Sequence, residues 1–242
     1  MARTVFITGG TGSVGRALVE SFCLSGYRVF FQYNTNRTAA EELANAHGGT
    51  ALSLDFSKTT SLDVEATDIL INNAAVNISR VNTIDVTLED WEKNILINLT
   101  WPFVLIKKFL PYMMHNRWGR IVNISSIYGL RACEGNLPYN VSKHGLSALT
   151  KTVAREYGQY GISTNEICPG PIESDLLDRI AQYHADNEGV SKSDYFASIV
   201  KDIPAGRLAT PADIAKAALF LASEQAGYIN GVSIPVDGGL IA

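Results

Sequence analysis

The chain has 242 residues, of which 46% are hydrophobic and 18% charged, and carries a formal net charge of −4. That balance suits one large α/β domain or two small ones, and without a basic run it argues against a nucleic-acid partner. No apolar segment is long enough to span a membrane, so no membrane association is expected. Cys23, Cys133 and Cys168 are too far apart for a disulfide framework or a zinc site, which fits a reducing cytoplasm and predicts no bound metal.

Arg3 to Thr8 reads as a short opening strand, which leaves no room for a cleaved leader. A glycine-rich turn follows, Gly9-Gly10-Thr11-Gly12-Ser13-Val14-Gly15, and then an apolar-periodic helix through Ala17, Leu18 and Phe22. Gly10-x-Gly12-x-x-Gly15 stands where a dinucleotide fingerprint must stand, between strand and helix. Without Cβ atoms the backbone can approach a pyrophosphate, and the first N–H groups of the helix can face it.

A second strand spans Arg28 to Tyr33. In a dinucleotide fold its end meets the adenine ribose, where an acidic residue would bind the 2′-hydroxyl of NAD. This chain instead reads Gln32-Tyr33-Asn34-Thr35-Asn36-Arg37. Arg37 can pair with a 2′-phosphate, which favours NADP; the alternative is that it only starts the next helix, Thr38 to Ala46, on the solvent side.

Thr50 to Leu54 is a third strand, ending at Asp55-Phe56. Ser57 to Thr67 is brief and polar, with room for a turn or two of helix. Asp68 to Ile71 is a fourth strand and closes on Asn72-Asn73-Ala74-Ala75. A long helix is expected from about Leu88 to Met114. Within it, Asn98 lies among apolar neighbours one turn before Pro102, a pattern that suggests a locally disturbed helix with a carbonyl free for other duties. The alternative is a surface asparagine.

Ile121 to Ile124 reads as a buried fifth strand, followed by Ser125, Ser126 and a loop to Tyr139-Asn140-Val141-Ser142-Lys143. Positions i and i+4 share a helix face, so a phenol and an ammonium lie side by side at a helix start. A nearby cation should lower the tyrosine pKa from about 10 toward neutrality and make it a proton donor or acceptor for an alcohol or carbonyl oxygen. Taken alone, the pair reads more readily as a helix-start tyrosine with a solvated lysine. Cys133, in the intervening loop, is expected to be a bystander thiol.

The tyrosine helix ends near Gly158 or Gly161, and Ile162 to Ile167 forms a sixth strand leading into Cys168-Pro169-Gly170-Pro171-Ile172. Glu173 to Gly206 is polar and partly helical, with Tyr183, His184, Tyr195 and Phe196, and is a candidate lid over a site. Thr210-Pro211-Ala212-Asp213 caps another helix running to about Ser223. A last strand, Val232 to Val236, precedes Asp237-Gly238-Gly239. Unbroken strand–helix alternation predicts one α/β domain over residues 1–242. It is doubly wound and Rossmann-type, with a parallel sheet of about seven strands and helices on both faces.

These residues together identify a resemblance. Thr8-Gly9 to Gly15, Asn72-Asn73-Ala74, Asn98, Ser126, Tyr139 with Lys143, Pro169-Gly170 and Val236-Asp237-Gly238-Gly239 resemble the short-chain dehydrogenase/reductase family, in its compact single-domain branch, over essentially the whole chain. The chain looks most like the 3-oxoacyl-thioester reductases. Ser126 lies at the family's usual distance before the tyrosine, which singles it out over Ser125. There are departures. Ser13 stands at the branch's middle glycine, Ala75 replaces a commoner glycine, the segment after Asp55 is short, and position 12 lacks the basic residue that NADP-users often carry.

The resemblance implies a catalytic set. Tyr139 is the acid or base, Lys143 lowers its pKa and holds the nicotinamide ribose, Ser126 binds the substrate oxygen, and Asn98 holds a relay water. It also implies a cofactor cradle of Gly9, Thr11, Gly12, Ser13, Val14 and Gly15, with Asn34, Thr35 and Arg37 at the adenosine ribose. Asp55 and Phe56 flank the adenine, Asn73, Ala74 and Ala75 the adjoining ribose, and Pro169, Gly170, Ile172 and Ser174 the carboxamide side. The expected activity is hydride transfer between NADP(H), or alternatively NAD(H), and a carbonyl or secondary alcohol of a small molecule. An NADPH-dependent ketone or 3-oxoacyl-thioester reductase is favoured over an NAD-dependent alcohol, sugar or hydroxy-acid dehydrogenase. A nucleotide-sensing protein without chemistry is disfavoured because all four catalytic positions are intact. A homo-oligomer, tetramer or dimer, is also implied.

Overall fold

The computed structural model describes residues 2–59, 64, 66–77 and 81–242, apart from the side chains of Leu176, His184 and Glu188. Seven parallel strands form one sheet: β1 (Thr4–Ile7), β2 (Arg28–Tyr33), β3 (Thr50–Ser53), β4 (Ile69–Asn72), β5 (Gly119–Ile124), β6 (Ile162–Pro169) and β7 (Ser233–Val236). Their spatial order is β3-β2-β1-β4-β5-β6-β7. The chain winds outward from β1 to β3, returns to the other side of β1 as β4, and proceeds to β7. Connections leaving β1 and β4 therefore diverge, and such a reversal opens a crevice beyond the carboxyl ends of the strands.

Central strands are covered on both faces, as parallel sheets require. Every residue of β4, β5 and β6 is buried. One face packs α1 (Ser13–Leu24), α2 (Arg37–His47) and α8 (Pro211–Leu221), with Leu18, Phe22, Phe31, Ile71 and Ile214 in its core. The other carries α3 (Leu88–Ile95), α4 (Trp101–Asn116) and α5 (Leu137–Tyr157), with Phe6, Leu70, Leu105, Phe109 and Ile121 buried against them. The segment expected to be a lid folds as α6 (Asp175–Glu188) and α7 (Lys192–Lys201), joined by Lys192 Nζ to Asp178 at 3.0 Å. No helix among the described residues is long and apolar enough to cross a membrane.

Local chemistry sets the boundaries. Asn36 caps α2 by accepting from Ala39 N, and Gly48, at φ 82°, ends it. Thr210 and Asp213 form the expected capping box at the start of α8. The long helix runs from Leu88 to Asn116 but is not uniform: Leu96 to Thr100 is a π turn, with Trp101 N–H donating to the Leu96 carbonyl. The disturbance read from Asn98 and Pro102 is thus a single widened turn. Asn98 is buried rather than on the surface.

Strand ends differ from the sequence reading by one or two residues. β5 begins at Gly119, because Arg120 already pairs with Ile69 of β4. β6 continues to Pro169, because Cys168 and Pro169 pair with Pro235 and Val236. After Asp55 a short turn forms, in which Lys58 N and Thr59 N donate to the Asp55 carbonyl. The rest of the polar crossover expected over Ser57 to Thr67 lies in part outside the described residues.

Candidate active site

The glycine turn is held by side chains from two neighbouring strands. Gly9 has φ 67°, a left-handed backbone that other residues adopt only with strain. Gln32, buried at the end of β2, accepts from Gly9 N with Oε1 at 2.8 Å and donates from Nε2 to the Leu54 carbonyl at 2.6 Å. Thr8 Oγ1 accepts from Asn73 N and Ala74 N, both at 2.9 Å, and Asn73 Nδ2 donates back to the Thr8 carbonyl at 2.9 Å and the Gly9 carbonyl at 3.1 Å. The carboxyl ends of β1 and β4 are thereby locked together around the turn.

Gly12 precedes α1 with no side-chain cap, and the first turn of α1 holds no acidic residue. Its leading N–H groups and the positive end of the helix dipole thus remain for an anion. A Cβ on Gly15 would stand 2.0 Å from the Gly9 carbonyl oxygen, whereas one on Gly12 would meet nothing closer than 3.5 Å. Gly15 therefore closes the turn from within, and Gly12 leaves room above it. These are the features a dinucleotide phosphate needs, and the residues fit that group. Overpacking costs about 1–3 kcal/mol, so Gly15→Ala is expected to weaken dinucleotide binding by about tenfold or more. A fluorescence titration giving wild-type affinity would refute this.

A cleft of about 610 Å³ runs over this turn, lined by Gly9, Thr11, Gly12, Ser13, Val14, Gly15, Asn34, Asp55, Phe56, Asn73, Ala74, Ala75, Ile172 and Ser174 among others. A smaller cavity of about 260 Å³ adjoins it and shares Val14, Asn73, Ala75, Ile172 and Ser174. Its wall holds Ser126, Tyr139, Lys143, Pro169 and Gly170. The residues expected to handle the proton and those expected to cradle the dinucleotide thus open into one space.

Asn98 stands behind that wall. Its Oδ1 accepts from Val76 N, and its Nδ2 donates to the Val76 carbonyl, both at 2.8 Å, and to Ser142 Oγ at 3.1 Å. It ties the strand end after β4 to α5, one residue from Lys143. Ser126 begins the short turn after β5, its Oγ accepting from Tyr128 N at 3.1 Å. Lys143 is buried, and its Nζ donates to the Ile124 carbonyl at 2.9 Å and lies 5.5 Å from the centre of the Tyr139 ring.

The expected lowering of the tyrosine pKa is not what this geometry produces. Burial pushes the Tyr139 phenol up to about 12, and the Ser126 hydroxyl offsets only part of that rise. Burial also brings Lys143 down to about 8, against the opposing pull of Glu166 and Cys168. The ammonium is bound to a backbone carbonyl and sits near the ring rather than at the hydroxyl, so desolvation outweighs it.

Two expected cofactor contacts, Thr35 and Arg37, line neither the cleft nor the adjoining cavity. Arg37 opens α2 with its side chain exposed, and its Nε meets Glu41 Oε1 at 2.7 Å. Conversely, Gln32, Val76, Asn77, Ile97, Asp175 and Arg179 line the cleft and were not read from the sequence. Gln32 stands at the strand end where an acid would meet the adenine ribose, and Asp175 and Arg179 lie in the segment expected to be a lid. Leu177 and Ile180 of the same helix wall the smaller cavity.

Residues 9–241 match the family model described as enoyl-(acyl carrier protein) reductase. The chain is 32% identical over 259 residues to a D-beta-hydroxybutyrate dehydrogenase of Rhizobium meliloti, covering all of both chains. It is 33% identical over 249 residues to a 3-oxoacyl-[acyl-carrier-protein] reductase of Aquifex aeolicus, covering 97% of this chain and 95% of that one. Among solved structures it is similar to a phenylalanine-to-tryptophan variant of actinorhodin polyketide ketoreductase with NADPH, at a TM-score of 0.90 and 27% identity, covering 99% of this chain and 97% of the other.

Proposed function

The chain belongs to the short-chain dehydrogenase/reductase family, an NAD(P)-dependent oxidoreductase acting on hydroxyl or carbonyl groups, and from that premise we propose that it is an NADPH-dependent reductase of a ketone or 3-oxoacyl thioester. One observation carries this reading: Ser126, Tyr139 and Lys143 line a cavity that shares a wall with the glycine-turn cleft. Likeness to the Aquifex aeolicus reductase and to the NADPH-bound ketoreductase supports it.

Thr11, Gly12 and Val14 hold the phosphates and ribose, Asp55 and Phe56 the adenine, Asn73 to Ala75 the adjoining ribose, and Ile172 and Ser174 the carboxamide end. Bound there, the dinucleotide supplies the hydride. Ser126 donates a hydrogen bond to the substrate oxygen, and Tyr139 gives that oxygen its proton as the alkoxide forms, a type of assistance worth on the order of 10²–10⁴-fold. A phenol held near 12 is protonated at physiological pH, the form that reduction needs. Lys143 holds the nicotinamide ribose and passes a proton to Tyr139, replenished through a water on the Asn98 main chain, whose carbonyl meets no N–H four residues on because that position is Pro102. α6 and α7 close over the substrate as a lid across 173–206, with Leu177 and Ile180 already in the cavity wall.

Arg37 reads the 2′-phosphate. Its exposed pair with Glu41 is screened by solvent, so a phosphate can draw it away. Arg37→Ala is expected to lower the NADP/NAD ratio of kcat/KM by about tenfold or more; an unchanged ratio would show that Arg37 plays no part. A second reading, an NAD-dependent hydroxy-acid or sugar dehydrogenase, is favoured by the Rhizobium meliloti relative and by the polar lid. Assaying acetoacetyl thioesters with NADPH against 3-hydroxybutyrate with NAD separates the two.

The protein assembles as a homo-oligomer, a tetramer or dimer. Phe103 and Tyr112 on α4, Val141 on α5 and Phe220 on α8 are exposed apolar side chains suited to such contacts. Free Cys23, Cys133 and Cys168 fit a cytoplasmic setting.

A further inference from the structure

Glu166 lies on β6 with none of its surface exposed, and the chemistry proposed above makes no use of it. Strand register fixes its place. Glu166 is opposite Asn123 on β5 and Ser233 on β7, and directly opposed residues share a face of the sheet. Asn123 donates from Nδ2 to Thr150 Oγ1 at 2.8 Å, so this is the face that α5 covers. Lys143 is two turns before Thr150 on the same side of α5. Its Nζ donates to the carbonyl of Ile124, the residue after Asn123. Glu166 is therefore part of the sheet floor beneath the lysine head, with Cys168 two residues on along the same face.

The hydrogen bonding of this carboxyl is uneven. Ser233 Oγ donates to Oε1 at 2.5 Å and the Cys168 thiol also bonds the carboxyl, while Oε2 receives no N–H or O–H donor. A buried carboxyl without full hydrogen bonding is costly unless a cation compensates it. Glu166 acts electrostatically on Lys143, opposing the effect of burial. The other groups around the ammonium are Cys168 from β6 and the Tyr139 ring from its own helix, while the π turn contributes the neutral Asn98, bonded to Ser142.

We infer that Glu166 is a positioning residue, a buried counter-charge that keeps Lys143 in its ammonium form beside Tyr139 and thereby sets the alkaline limit of turnover. The inference rests on the proposed roles of Tyr139 and Lys143, but its first test does not depend on turnover. In the cofactor-free protein carrying ¹³C-labelled lysine, with the Lys143 signal assigned from Lys143→Met, Glu166→Gln is expected to lower the Lys143 midpoint by about one pH unit or more. The alkaline limb of kcat/KM moves with it, while turnover at pH 6 and cofactor affinity stay near wild type. Glu166→Asp keeps the charge one methylene further away, so its midpoint falls less. Should Glu166→Gln not fold, that smaller fall alone decides. A Lys143 midpoint unchanged in both variants overturns the inference, as does an activity loss equal at every pH. If Tyr139→Phe proves active, the proposed mechanism fails while the NMR shift stands on its own.

Discussion

Replacing Tyr139 by phenylalanine is expected to reduce kcat by on the order of 10³-fold while leaving dinucleotide affinity near that of the parent protein. The ring stays, and so does the space it fills 5.5 Å from Lys143 Nζ. The cleft over the glycine turn is built from other residues and keeps its lining. What disappears is the hydroxyl in the wall of the smaller cavity, next to Ser126. In the proposed mechanism the developing alkoxide keeps the Ser126 hydrogen bond but loses the proton that the Tyr139 hydroxyl would give it. KM should change little, because the loss falls on the transition state rather than on ground-state binding. Fluorescence titration with NADPH alongside steady-state kinetics gives both quantities. Turnover close to normal would remove Tyr139 from the mechanism.

Much of the candidate site was legible because its residues recur at local spacings. Tyr139 and Lys143 are one helical turn apart, the glycine turn sits between strand and helix, and Asn98 lies among apolar neighbours one turn before Pro102. All three readings depend only on near neighbours in the chain. What escaped was decided by tertiary register. Gln32 clamps Gly9 to Leu54 because β1, β2 and β3 are adjacent, which no local pattern announces. Arg179 and Asp175 reach the cleft because α6 folds back over it. Glu166 is opposed to Asn123 and Ser233 only once β5, β6 and β7 align. The tyrosine pKa was misjudged for a related reason. Spacing reveals a neighbouring ammonium, whereas desolvation depends on what the whole fold lays over both groups. Arg37 is the converse case, since its partner Glu41 is visible at i+4 and competes with any ligand.

Lys143→Met is expected to abolish most turnover and, at the same time, to change how stability depends on pH. Lys143 is buried, and burial lowers its pKa from 10.5 to about 8. A displacement of that size corresponds to roughly 3 kcal/mol. Its sign follows from proton binding. Between pH 8 and 10.5 the unfolded chain still holds the lysine proton while the folded protein has released it, so unfolding takes up a proton and stability rises with pH. Below pH 8 both states carry the proton, and the full cost of the buried ammonium is present. Methionine fills similar volume without a charge, so the variant has no such dependence. It does lose the hydrogen bond to the Ile124 carbonyl, a penalty of about 1–3 kcal/mol that is constant with pH. The difference in unfolding free energy, variant minus parent, should therefore be most favourable to the variant at pH 7 and fall by up to about 3 kcal/mol as pH rises toward 10.5. Urea unfolding of both proteins at pH 7, 8, 9 and 10 measures this directly. A difference that stays flat across the series would mean that Lys143 is not held as a desolvated ammonium, and the pH limit assigned to it would have to lie elsewhere.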